Sequence, residues 1–281
     1  MPAKEITAQP EVAATTDELF VPAKKALLRR GVKVFVWGPY GVGKTHFALS
    51  FPEPIYVIST EFGVAQLLHQ FPNKDIRIME CTEPYTDAPI KAKTGEVDDQ
   101  PFAVDPILSL RKVEKATEAL KDITKGTIVL DSGSDIWQWM GAWLEYNYDK
   151  ATKSGQMMRT EWGKANARYK WILMRLLSRP VHFVLTSRSQ NVYDSQGAMT
   201  QQEKFKAQAE TPYFADIIIH MSKKAIPQID IATGKVTGMT TQRIGEIEKC
   251  RFADITPTIN DPTFDALKAA LSSKVPAEVF G

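Results

Sequence analysis

Cysteine is nearly absent. Cys81 and Cys250 are the only two in 281 residues, far apart and with no CxxC or His-rich surround. A disulfide framework is thereby excluded, no zinc or redox motif exists, and both residues read as buried free thiols. Histidine is scarce too, and no two of His46, His69, His182 and His220 share a metal-ligand spacing. No apolar run approaches the ~20 residues that a bilayer requires. The first thirty residues mix Lys and Glu with Ala and Pro around no apolar centre, so no secretory signal is visible and the expected address is cytoplasmic. Excess charge is also lacking: thirty-five Lys plus Arg face thirty-three Asp plus Glu, leaving +2. Any argument for a nucleic-acid partner must therefore rest on local clusters, and no membrane partner is expected.

What is present is an ordinary globular composition, 43% hydrophobic and 24% charged, in a chain long enough for a sizeable core. The stretch 1–19 reads as a flexible arm, rich in Ala, Thr, Pro and Glu, and 20–281 as one folded domain. Within it, short apolar runs alternate with helix-length segments: KVFVW at Lys33–Trp37, IYVIS at Ile55–Ser59, Ile76–Met79, TIVL at Thr127–Leu130 and VHFVLT at Val181–Thr186. Strands apolar throughout and separated by helices predict an α/β fold, with a mostly parallel sheet buried on both faces. The proline-rich and acidic stretch at about 81–106 is too long for an ordinary connection and reads as an insertion. After Thr186 the reading is a polar loop over Ser187–Thr211, then β-like runs at Asp216–Met221 and Gln242–Lys249 that extend the sheet with antiparallel strands. Asp261-Pro262 predicts the start of a last helix.

Gly38-Pro39-Tyr40-Gly41-Val42-Gly43-Lys44-Thr45 matches GxxxxGK[ST] between a predicted strand and a predicted helix, the context a P-loop requires. The glycines let backbone N–H groups wrap a phosphate, with His46 following in the helix. Lys44 is expected at the β- and γ-phosphates and Thr45 on magnesium, so the cofactors are ATP and Mg2+. An apolar run ending in Asp131-Ser132 looks like Walker B, with Asp131 as a metal or metal-water ligand at the carboxyl edge of the sheet. The other reading is a strand-end acid that caps the following helix. Glu61 follows strand Ile55–Ser59 by two residues. If that strand lies beside the P-loop strand, the carboxylate can face the γ-phosphate as a base or water-positioning group. A GTPase is disfavoured because Asn73-Lys74-Asp75-Ile76 fails the NKxD pattern at its last position, and no LSGGQ signature points to an ABC transporter.

The order P-loop, Thr60-Glu61, Asp131-Ser132, then a strand ending in Thr186-Ser187-Arg188 resembles the RecA-like ATPases, over about residues 31–254. More narrowly it is similar to the phage and archaeal RecA-core ATPases linked to single-strand annealing. The resemblance implies a Mg-dependent ATPase, stimulated by single-stranded DNA, that assembles as a filament or ring in a bacterial or archaeal cell. It also implies a single-strand binding protein or another replication or recombination protein as partner. It assigns Glu61 to the attacking water. Where full recombinases carry an Asn-Gln pair, this chain has Ser187 and Arg188 as the candidates for sensing the γ-phosphate. Lys249 and Arg251 match a basic pair that reaches a neighbouring subunit's γ-phosphate; the competing reading is an ordinary charged edge strand. The stretch 149–170 carries Lys150, Lys153, Arg159, Lys164, Arg168 and Lys170 with Trp162 and Tyr169 among them. Cations interleaved with aromatics suit single-stranded DNA, while a solvated helix face is the alternative. Lys204 and Lys206 form a second DNA candidate. Two other functions stay open: an AAA-type ATPase that remodels a protein, and a nucleotide-gated binding module with little turnover.

Overall fold

The computed structural model describes residues 31–85, 104–147, 159–230, 233–255 and 257–280. The arm, the centre of the insertion, Lys150 and Lys153 lie outside these. The strands are β1 (Lys33–Gly38), β2 (Ile55–Ser59), β3 (Ile76–Glu80), β4 (Thr127–Asp131), β5 (His182–Tyr193), β6 (Met199–Phe205), β7 (Ile217–Ile229), β8 (Val236–Cys250) and β9 (Thr258–Asn260). The helices are α1 (Lys44–Leu49), α2 (Val64–Leu67), α3 (Pro106–Ala119), α4 (Gly133–Asn147), α5 (Arg159–Leu177), α6 (Thr211–Phe214) and α7 (Phe264–Leu271).

The sheet order is β3-β2-β4-β5-β1-β7-β8-β9. From β3 to β7 every pairing is parallel; β8 and β9 add antiparallel strands. The α/β class, the mostly parallel core flanked by helices and the antiparallel C-terminal extension are as expected. The run at 216–221 is a correction. Val34 pairs Ile217 in parallel, so the reversal begins one strand later, at β8.

Alternation along β1 splits the core into two layers. Val34 and Val36 face the side of α1 and α7, with Phe47, Leu49, Phe264 and Leu267. Phe35 and Trp37 face the side of α3, α4 and α5, with Leu110, Ile136, Tyr169 and Leu173. Both faces being covered explains why β1, β2 and β4 are apolar between their ends. Helix α1, six residues long, is too short to stand alone. Burial of Phe47, Ala48 and Leu49 holds it to the sheet, each large side chain contributing about 1.5–3 kcal/mol. The Lys74 ammonium caps its far end, donating to the carbonyls of Leu49, Ser50 and Phe51 at 3.2, 2.7 and 2.7 Å.

Two hairpins extend the sheet. The stretch that reads as a polar loop after Thr186 instead continues β5 to Tyr193 and returns as β6, with Ser189 opposite Phe205 and Gln190 opposite Lys204. Phe205 anchors its base, edge-on to Phe35 at 5.4 Å. The second hairpin joins β7 to β8, paired from Ile217–Cys250 to Ile229–Val236. The last helix starts at Phe264, two residues beyond the Asp261-Pro262 signal. Thr263 is the cap, its hydroxyl accepting from the Ala266 N–H at 3.1 Å. Asp261 is otherwise engaged, accepting from the Gln242 amide and the Arg243 backbone, both at 3.2 Å. Cys81 is buried, which pushes its thiol up to about 12, and Cys250 is half-buried. Among the described residues no helix is long and apolar enough to cross a membrane.

Candidate nucleotide site

The P-loop leaves the carboxyl end of β1 and enters α1. Gly38 is required by a close approach, since a Cβ there would lie 2.2 Å from the Met221 carbonyl oxygen of β7. Gly41 and Gly43 have φ of 69° and 95°, the left-handed region that side chains avoid. Lys44 donates from Nζ to the carbonyls of Gly38 and Pro39 at 2.9 and 2.7 Å, so its ammonium is already folded over the loop. Burial holds its pKa below the usual value, opposed by the charges of Asp131 and Glu61.

Asp131 ends β4, one strand removed from β1, because β5 lies between them. Its carboxylate accepts from the Thr45 hydroxyl at 2.6 Å and from the Thr186 hydroxyl of β5. Burial pushes this carboxyl up, and the two hydroxyls pull it back down. Thr45 and Asp131 thus set two hard oxygen donors side by side. Among the described residues no three His, Cys, Asp or Glu side chains cluster. That donor set suits magnesium, which takes one or two protein oxygens and fills its octahedron with phosphate oxygens and water. Thr45 and Asp131 would hold the ion, which would supply neutralising charge to bound phosphate. The alternative for Asp131, capping the helix after it, does not describe the contacts its carboxylate makes.

Glu61 reaches the site by a different route from the one expected. Strand β2 pairs with β3 and β4, not with β1, so the condition of adjacency to the P-loop strand fails. What carries Glu61 inward is a polar knot between the ends of β2 and β4. The Thr60 N–H donates to the Asp131 carbonyl at 2.6 Å, the Ser132 N–H to the Thr60 hydroxyl at 2.7 Å, and that hydroxyl to Asp135 at 2.9 Å. Arg188, at the end of the sheet-core part of β5, closes the ring. It pairs with Asp135, and its Nε stands 3.4 Å from Glu61, an ion pair without a hydrogen bond. Ser187 lies on the other face of β5, its hydroxyl 3.1 Å from that of Ser134 and 3.0 Å from the Arg188 carbonyl. Of the two residues considered for the sensor, Arg188 is the one beside Glu61.

Asp135, four residues after Asp131, is a site residue outside the sequence motifs, and Thr186 enters them only as the end of its strand. Lys223 and Arg243, which belong to no motif, stand against the P-loop from β7 and β8. A Cβ on Gly41 would lie 3.5 Å from Lys223 Nζ, and one on Gly43 2.9 Å from Arg243 Cδ. Pro39 and His46 are half-buried, Val42 is buried, and Tyr40 projects from the loop 92% exposed.

Lys249 and Arg251 sit at the opposite edge of the sheet from the P-loop, where Cys250 pairs Ile217 at the level of Val34. Lys249 donates to the carbonyls of Pro212 and Ala215, both at 2.9 Å. Arg251 donates to the Tyr213 carbonyl and stands 3.6 Å from Asp216. In this chain both cations hold the end of α6.

Of the residues weighed for DNA, Arg159 and Lys164 lie on the exposed part of α5, Lys204 is exposed on β6, and Lys206 is half-buried. Tyr169 corrects the aromatic reading: it is 1% exposed, with its hydroxyl 3.3 Å from that of Thr211. Arg168 and Lys170 are committed to Glu114 and Glu210. Trp139 is buried and Trp143 packs partly buried beside it, as helical spacing predicts.

Comparison with curated proteins gives no match. Solved structures similar in fold include a KaiC-like protein of the hyperthermophilic archaeon Pyrococcus horikoshii, at 16% identity over 82% of this chain and 85% of that one, TM-score 0.43. The RadB recombinase is similar at 15% identity over 84% and 91%, TM-score 0.43. An ATPase of the type III secretion system of pathogenic bacteria is similar at 14% identity over 69% and 52%, TM-score 0.40. A family model described as an AAA domain matches residues 30–251, a span that runs from the residues before β1 to the end of β8. The chain belongs to that AAA domain family.

Proposed function

We propose that this protein is a Mg-dependent ATPase whose turnover is coupled to single-stranded DNA, acting in annealing or recombination in the cytoplasm, as the phage and archaeal annealing ATPases it resembles do. The observation that carries the coupling is the continuity of β5. One strand holds Thr186 on Asp131, then Arg188 beside Glu61, then runs on into the hairpin whose return strand carries Lys204. A shift at the γ-phosphate end is transmitted along the strand to a projecting arm that presents Lys204. Within the site, Lys44 holds the β- and γ-phosphates, Thr45 and Asp131 are the donors for magnesium, and Glu61 accepts the proton of the attacking water. Arg188 reports the state of the γ-phosphate through its pairs with Glu61 and Asp135.

Head-to-tail assembly fits this arrangement. The P-loop and the pair Lys249 and Arg251 occupy opposite edges of the sheet, so a filament or ring brings one subunit's pair toward the next subunit's nucleotide. Charge supplied in trans is a known device of phosphoryl transfer.

DNA contact is tested by salt dependence. Replacing Arg159, Lys164, Lys204 and Lys206 with Ala weakens single-strand binding and flattens its log-log salt slope by about 0.7 for each phosphate no longer neutralised. An unchanged slope contradicts the assignment. A second reading, remodelling of a protein partner, is favoured by the exposed apolar residues near the hairpin ends, Tyr193 and Met199 on one and Ile229, Val236 and Met239 on the other. It predicts an ATPase indifferent to DNA.

A further inference from the structure

Lys223 and Arg243 face each other directly across β7 and β8, on the side of the sheet where α1 lies. Like charges in directly opposed positions of an antiparallel pair repel and destabilise the sheet. Among the described residues neither forms an ion pair that would relieve this, although Asp261 is near enough to bind the Arg243 backbone on both sides, accepting from its N–H at 3.2 Å and donating to its carbonyl at 2.7 Å. The strand is anchored while the two cationic heads are left to the P-loop. Lys223 Nζ stands over Gly41 and the Arg243 side chain over Gly43, and the Arg243 charge is felt at His46, where it adds to burial in lowering the imidazole pKa.

Direction along the sheet identifies the part of the nucleotide they meet. Asp131, Thr186, Glu61 and Arg188 come from β4, β5 and the end of β2, all on one side of β1. They mark the metal and γ-phosphate end. The loop wraps the middle of the triphosphate, so the chain of phosphates leaves it on the other side of β1, toward β7 and β8. We propose that Lys223 and Arg243 form an in-cis clamp on the α-phosphate end of the bound nucleotide, one that sets affinity for ATP and ADP alike. The inference rests on the ATP-site reading given above. It also assigns an occupant to a cationic pair that costs the apo sheet stability.

The test is equilibrium titration of a fluorescent ADP and a fluorescent, slowly hydrolysed ATP analogue into wild type, Lys223→Ala/Arg243→Ala, Arg243→Ala, Arg243→Lys and Lys44→Ala. The double variant is expected to lose about 10-fold in affinity, the low end for charge-assisted contacts at a partly exposed site, and to lose it equally for both nucleotides. kcat/KM falls by more than kcat. Arg243→Lys retains more affinity than Arg243→Ala, which a packing role against Gly43 does not predict. Unchanged affinity for both nucleotides, with Lys44→Ala binding neither, overturns the clamp and leaves the P-loop reading standing. Loss for the ATP analogue with ADP unaffected also overturns it, because the pair then acts at the γ-phosphate. Equal binding by wild type and Lys44→Ala overturns the ATP-site reading and the clamp with it.

Discussion

Lys44→Ala abolishes ATP binding. The ammonium already spans the loop, bonded to the carbonyls of Gly38 and Pro39, with Asp131 and Glu61 close enough to oppose the effect of burial on its charge. A triphosphate takes over from those two carbonyls. Hydrogen bonds to a charged group are worth about 1.5–3 kcal/mol each, so removing the bonds to two phosphates costs at least ~100-fold in affinity. The fold survives, since Lys44 is only partly buried and the loop is held by Gly38 against Met221 and by α1 in the core. Calorimetric titration with ATP checks this, and undiminished affinity in the variant refutes the P-loop assignment.

Glu61→Gln is expected to bind ATP normally and to turn over at least ~100-fold more slowly, the lower bound for a positioned proton acceptor. The change is nearly isosteric and leaves the surrounding knot intact, because Thr60, Ser132 and Asp135 bond through other atoms. Arg188 loses one partner and keeps Asp135. Binding and chemistry therefore separate in this variant, and a single-turnover assay beside a binding titration shows which has changed. A wild-type rate reduces Glu61 to a surface partner of Arg188.

The parts of this protein that are legible in its sequence are those governed by local rules. The apolar runs match β2 at its observed bounds and β1 and β4 to within one residue, because strands covered on both faces must be apolar throughout and their ends are marked by Gly38 and Asp131. The P-loop is legible because its conformation demands glycine at fixed steps. Strand order is not legible. Glu61 faces the γ-phosphate in the sequence only on the condition that β2 adjoins β1, yet β4 and β5 intervene, and the contacts of Thr60 and Asp135 bring the carboxylate to the site. The continuation of β5 and the whole of β6 read as loop because a projecting hairpin has no buried face to impose alternation. Cross-strand register hides Lys223 and Arg243 for the same reason: twenty residues separate them, and nothing in either segment says that they stand opposite. Tyr169 looks like a stacking surface among cations, but its helical position turns it into the core. Asp261 looks like a helix cap, but its carboxylate serves Gln242 and Arg243, and Thr263 takes the role.

Whether β5 couples the nucleotide site to single-stranded DNA is decided by steady-state ATP hydrolysis at saturating Mg-ATP, with and without single-stranded DNA. The rate is predicted to rise on adding DNA in the wild type, and the rise to disappear in Lys204→Ala/Lys206→Ala while the DNA-free rate persists. Lys44-dependent hydrolysis that proceeds at the same rate with and without DNA would contradict this coupling.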